Sequence, residues 1–130
     1  KDFQPKFVEL NLNETPDLAQ TIAVSCAALK TKCKLTGLAT LKVKETDRLV
    51  ALKNELQKIG ALSKITEDTL EIIDFIAAEN LPKIKTYDDH RMALSFAPYS
   101  LIQSIEIENP EVVNKSYPKF WEDLAGLNYG

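Results

Sequence analysis

The stretch Lys34-Leu35-Thr36-Gly37-Leu38-Ala39-Thr40-Leu41-Lys42-Val43-Lys44-Glu45-Thr46-Asp47-Arg48-Leu49-Val50-Ala51-Leu52 changes its pattern part-way along. Residues 34–43 read as a strand interrupted at Gly37, where a bulge or a close backbone approach is expected. From Thr46 onward the apolar positions Leu49, Leu52, Leu56 and Ile59 fall on one stripe, which predicts a helix over residues 46–59 with Gly60 in the C′ position. Start and stop signals agree, so a strand hands over to an amphipathic helix, the pattern of a mixed α/β chain.

Working outward, residues 7–12 alternate like a half-buried strand, and Asn13-Glu14-Thr15-Pro16-Asp17 supplies turn and helix-start chemistry for a helix over residues 17–30. Downstream, residues 61–65 and 69–74, joined by Thr66-Glu67-Asp68, predict a hairpin. A short strand is expected at 84–86. A helix over 88–102 should kink near Ala97, because Pro98 removes a backbone donor and crowds the preceding turn. Residues 104–108 alternate as a strand, and 117–127 predict a final short helix. A shift of 70 residues places Ala23-Val24-Ser25-Cys26-Ala27 on Ala93-Leu94-Ser95-Phe96-Ala97 and Val43 on Val113. If this is a structural repeat, its unit is βαβαββ, and corresponding helix entrances lie near Glu45 and Lys115.

Composition bounds the function. The 130 residues are 45% hydrophobic and 27% charged, which excludes a disordered, collagenous or disulfide-stapled chain and points to a single domain segment over 1–130. A chain of this length buries enough surface to need no structural metal. The net charge of -3 argues against nucleic acid and anionic membrane as partners. No apolar run reaches the ~18 residues of a membrane span, and the expected location is the cytoplasm. Cys26 and Cys33 match no metal or redox spacing and read as reduced thiols. The only methionine is Met92 and the chain opens on Lys1, so it is expected to be a fragment or processed piece.

Fourteen lysines stand against only two arginines, Arg48 and Arg91. Arginine is the residue for a permanent two-pronged grip on a carboxylate or phosphate, although two arginines on solvated faces would give the same count. Lys44-Glu45-Thr46-Asp47-Arg48 is readable as a charged first turn with Thr46 as N-cap and Asp47 against the helix dipole. Taken alone, the segment favours that first-turn reading; the functional one is a proton-transfer carboxylate, Glu45, between two cations at a cleft. Tyr87-Asp88-Asp89-His90-Arg91-Met92 gathers the single histidine, an arginine and the methionine beside another helix start. There Asp88 and Asp89 are candidate caps and His90 a candidate surface residue or ligand. Asp17 and Lys115 mark two more helix entrances.

Residues 36–49, followed by 87–93, resemble the enolpyruvyl transferases, and among them the 5-enolpyruvylshikimate-3-phosphate synthase family. The resemblance runs from Pro16-Asp17 through Lys115-Ser116-Tyr117-Pro118 with the motifs in order. It implies an α+β fold, one and a half to two βαβαββ units of an inside-out barrel, within the second of the family's two domains, with the first domain absent. It implies that phosphoenolpyruvate and shikimate 3-phosphate are the substrates, with no metal or organic cofactor. By similarity Asp17 contacts the shikimate hydroxyls and is a candidate base, Glu45 is a candidate proton donor or relay, and Lys44 contacts the shikimate substrate. Arg48, Arg91 and Lys115 would bind the anionic groups of phosphoenolpyruvate with polar support from His90. Thr40 stands where some members place a substrate-contacting asparagine, and Pro98 is a second departure. The related transferase acting on a UDP-linked amino sugar is not expected to carry the 44–48 or 90–91 signatures. A different class of reading is a non-catalytic anion-binding or interaction module. Either way the isolated chain, lacking the rest of the enzyme as its partner, is expected to be inactive and prone to self-association.

Overall fold

A computed structural model describes residues 7–43, 47–113, 119 and 122–124. The elements come in the order β1 (Val8–Asn11), α1 (Ala19–Ala28), β2 (Cys33–Thr36), α2 (Arg48–Lys58), β3 (Ala61–Ile65), β4 (Leu70–Phe75), β5 (Lys83–Ile84), α3 (His90–Phe96) and β6 (Glu106–Ile107), with 3-10 turns at Pro16–Leu18, Ala39–Val43, Ala97–Leu101 and Pro110–Val113. The fold is mixed α/β. The first six elements form one βαβαββ unit whose sheet order is β1-β2-β4-β3. In it β1 and β2 are parallel across α1, while β2, β4 and β3 are antiparallel. A second unit begins with β5, α3 and β6, again a parallel pair joined across a helix. The 70-residue offset survives in the turns, where Ala39–Val43 and Pro110–Val113 occupy equivalent places after their strands.

Both helices of the first unit lie on one face of the sheet. Cys33 and Leu35 of β2 and Leu70 and Ile72 of β4 are buried and point toward them. On the opposite face Lys34 pairs across the strands with Glu71, a favourable opposite-charge neighbour. The core joins Ala23, Val24 and Ala27 of α1, Leu49, Leu52 and Leu56 of α2, and Met92 and Phe96 of α3. Completely buried leucines of this kind each contribute about 1.5–3 kcal/mol through surface removed from water.

Several boundaries differ from the sequence expectation for identifiable reasons. The strand expected over 34–43 stops at Thr36, and Ala39–Val43 is a 3-10 turn. Gly37 takes φ 77°, and a side chain there would collide with the Asn13 backbone and the Asn11 amide. The close approach expected at Gly37 therefore exists, and it ends the strand rather than bulging it. The N-cap of α2 is Asp47 rather than Thr46, because the Asp47 carboxylate accepts from the Leu49 and Val50 amides at 3.2 and 3.3 Å. Gly60 follows the helix at φ 93°, as the stop signal required. The helix expected over 17–30 opens as the Pro16–Leu18 turn. Strand β1 is shorter than expected and less alternating, with Leu10 exposed at the sheet edge. The strands expected at 84–86 and 104–108 shrink to two residues each, Lys83–Ile84 and Glu106–Ile107. The helix of 88–102 breaks where Pro98 demanded: α3 ends at Phe96 and a tighter 3-10 turn continues to Leu101. The predicted helix over 117–127 falls almost wholly outside the described residues, as do Lys44, Glu45 and Lys115. Among the described residues no helix is long and apolar enough to cross a membrane.

Candidate active site

The starts of α1, α2 and α3 converge, and each brings charged residues. Asp17 stands in the 3-10 turn that opens α1, Arg48 is the first residue of α2, and Asp89 caps α3 by accepting from the Arg91 amide at 2.9 Å. The guanidinium of Arg48 grips Asp89 with two prongs, Nε to Oδ2 at 2.6 Å and Nη2 to Oδ1 at 2.9 Å. Both side chains are buried. Taking a charge pair out of water is expensive, and it is tolerated here because the geometry is bidentate and the Asp89 carboxylate is also hydrogen-bonded to backbone.

The third nitrogen of Arg48, Nη1, reaches Asp17 Oδ1 at 3.4 Å. The other Asp17 oxygen faces Arg91 Nη2 at 3.7 Å. Thus the chain's two arginines meet on one carboxylate. Their settings differ: the Arg48 side chain is 3% exposed, whereas those of Asp17 and Arg91 are 40% and 42% exposed. Arg48 is the fixed member of the group, and Asp17 and Arg91 form its solvent-facing rim. The two long contacts at Asp17 are the ones an incoming anion or hydroxyl can rearrange at least cost.

The backbone ahead of α3 is unusual. Tyr87 and Asp88 both lie in the left-handed region, at φ 57° and 54°. For residues bearing a Cβ this costs ~1–2 kcal/mol each, so the surroundings must hold them there. The Asp89 amide closes the turn on the Thr86 carbonyl at 2.8 Å, and Glu55, buried on the same face of α2 two turns after Arg48, adds to that hold. Its carboxylate accepts from the Tyr87 hydroxyl at 2.6 Å and the Lys85 amide at 3.0 Å, and pairs with Lys58 at 2.7 Å. Burial first, then the neighbouring Glu55 carboxylate, push the Tyr87 hydroxyl up to about 12. The Lys58 ammonium also donates to the Lys83 carbonyl at 2.9 Å. Lys58, Glu55 and Arg48 therefore fasten Lys83, Lys85, Tyr87 and Asp89 in antiparallel order along α2, while the intervening Ile84 and Thr86 turn into the core.

Of the residues singled out from sequence, the structure brings Asp17, Arg48 and Arg91 together and sets His90, partly exposed, at the first position of α3. Both prongs of Arg48 hold Asp89 of the same chain. Sequence reading treated Asp89 as a cap alone and passed over Glu55. An acidic residue between Leu52 and Leu56, seven positions after Arg48 on the apolar stripe, was the available signal for a buried, partnered carboxylate.

Residues 2–124 match the EPSP synthase (3-phosphoshikimate 1-carboxyvinyltransferase) family. The 3-phosphoshikimate 1-carboxyvinyltransferase of Bacteroides fragilis is 45% identical over 120 residues, covering 90% of this chain and 29% of that protein. That of Syntrophobacter fumaroxidans is 42% identical over 121 residues, covering 92% and 29%. The solved EPSP synthase of Acinetobacter baumannii superposes with a TM-score of 0.74 at 30% identity, covering 87% of this chain and 27% of that one. The chain spans less than a third of the length of these curated relatives. Its sequence match and its fold lead to one conclusion: the chain belongs to the EPSP synthase family.

Proposed function

We propose that this chain supplies one wall of the active site of a cytoplasmic enzyme that transfers the enolpyruvyl group of phosphoenolpyruvate to the 5-hydroxyl of shikimate 3-phosphate. The observation that carries the reading is the meeting of Arg48 and Arg91 on Asp17. In this reading Asp17 orients the shikimate hydroxyls and accepts the 5-hydroxyl proton as the oxygen bonds to the central carbon of phosphoenolpyruvate. Glu45 delivers a proton to the methylene carbon, giving a tetrahedral intermediate that still bears phosphate. The carbon–oxygen bond to phosphate then breaks, the methyl group returns a proton, and the enol double bond reforms. Arg91, Lys115 and the Nη1 edge of Arg48 neutralise the phosphate and carboxylate of phosphoenolpyruvate, Lys44 holds the shikimate substrate, and His90 adds a polar contact. Asp89 keeps the Arg48 fork aimed. The reaction requires proton transfer and charge neutralisation alone, with no metal or organic cofactor. The remaining cations come from the rest of the enzyme, so the isolated segment is inactive.

The test is phosphate release by the complete enzyme carrying this segment. Asp17→Asn should lower kcat about 10²–10⁴-fold, the usual worth of a positioned acid–base group. An unchanged kcat in a folded Asp17→Asn enzyme would remove Asp17 from the chemistry.

A further inference from the structure

We propose that Glu55 and Tyr87 are positioning residues, whose partly buried hydrogen bond helps to hold the left-handed turn at Tyr87 and Asp88 so that Asp89 meets Arg48 and His90 and Arg91 stand at the site. The argument begins with the turn. Two successive side-chain-bearing residues at positive φ do not persist without restraint. The turn's own bond, from the Asp89 amide to the Thr86 carbonyl at 2.8 Å, is reinforced from one helix at two points: Arg48 clasps Asp89, and seven residues later Glu55 clasps Tyr87 and the Lys85 amide. Seven residues of helix rise ~10 Å, so the segment from Lys85 to Asp89, turn included, is held between two anchors on a rigid rod. Lys58 balances the Glu55 carboxylate at 2.7 Å, and the Lys85 ammonium lies 5.5 Å from the Tyr87 ring centre. Neither Glu55 nor Tyr87 is needed as a ligand of substrate. They act through the backbone: if the far anchor is released, the turn relaxes, and the Asp89 carboxylate loses its aim on the Arg48 fork.

The kinetic part of the test rests on the enolpyruvyl-transfer reading, and the spectroscopic part does not. Tyr87→Phe removes one hydroxyl and keeps the ring, while Glu55→Gln keeps the shape and an acceptor, so both substitutions are gentle. In the substrate-free complete enzyme, solvent exchange of the Arg48 Nε–H, followed by nitrogen-15 NMR, should quicken about tenfold in Tyr87→Phe, the worth of one hydrogen bond to a charged partner. The KM for phosphoenolpyruvate should rise by a similar factor while kcat changes little, and Tyr87→Phe with Glu55→Gln should be no worse than the more damaging single substitution. Unchanged Arg48 exchange in folded Tyr87→Phe, or additive effects of the two substitutions, would overturn the proposal. If the unaltered enzyme transfers no enolpyruvyl group, the functional reading fails and the exchange measurement still decides the role of the pair.

Discussion

Arg48 and Asp89 join the starts of α2 and α3 through two parallel hydrogen bonds of 2.6 and 2.9 Å, buried on both sides. Removing one member leaves the other charged in a dry site. Asp89→Ala should therefore cost ~3–5 kcal/mol, and Asp89→Asn less, because its remaining amide oxygen can still cap α3. Chemical denaturation of the two variants measures the difference. A cost below about 1 kcal/mol for Asp89→Ala would mean that water reaches Arg48.

Gln20 offers the opposite case. It is completely buried in α1, and neither atom of its side-chain amide has a partner among the described residues. A stranded polar group of this kind costs ~1–3 kcal/mol. Gln20→Met keeps the volume and removes the polarity, so it should raise the stability by a comparable amount and with it the denaturation midpoint. A lower midpoint would show that the amide is satisfied in solution.

How much of the fold is readable from sequence depends on whether the cause is local. The strand-to-helix handover, the α2 stripe and the breaks at Gly60 and Pro98 were legible because each follows from local periodicity or backbone chemistry. The end of β2 was not, since Gly37 is turned by the neighbouring Asn11 and Asn13, which sequence spacing does not place beside it. Asp17, Arg48 and Arg91 stood out by residue type and by resemblance. Asp89 did not, because a helix cap and a buried partner look alike until the chain between Arg48 and Asp89, 41 positions apart, is folded, and Glu55 did not, because its partners Lys85 and Tyr87 lie 30 and 32 positions away.

The Tyr87 hydroxyl gives an alkaline signature. Burial and the Glu55 carboxylate raise it from its ordinary value of 10 to about 12 in the folded chain. The folded state thus holds this proton more tightly than the unfolded state. The associated stability is complete below about pH 10, where both states are protonated, and is lost as pH rises toward 12. Stability measured against pH should fall through that window in the unaltered protein and fall less steeply in Tyr87→Phe. Identical curves would place the Tyr87 hydroxyl in water rather than on Glu55.

The two arginines should separate under the same conservative substitution. Lysine keeps the charge of either residue and loses the planar fork. At Arg48 that fork is engaged with Asp89 inside the fold, so Arg48→Lys should lower stability by ~2–4 kcal/mol, most of the cost of breaking a buried pair, and also raise the KM for phosphoenolpyruvate. Arg91 is half-exposed and meets Asp17 at 3.7 Å, a distance at which a surface pair contributes ~0–1 kcal/mol. Arg91→Lys should leave the denaturation midpoint nearly unchanged and still raise the KM. Denaturation curves and steady-state kinetics on the same preparations of the complete enzyme separate the two effects. Should Arg91→Lys prove as destabilising as Arg48→Lys, Arg91 would be a second internal tie of the fold, and the anion would have to be held by Lys115 and the rest of the enzyme.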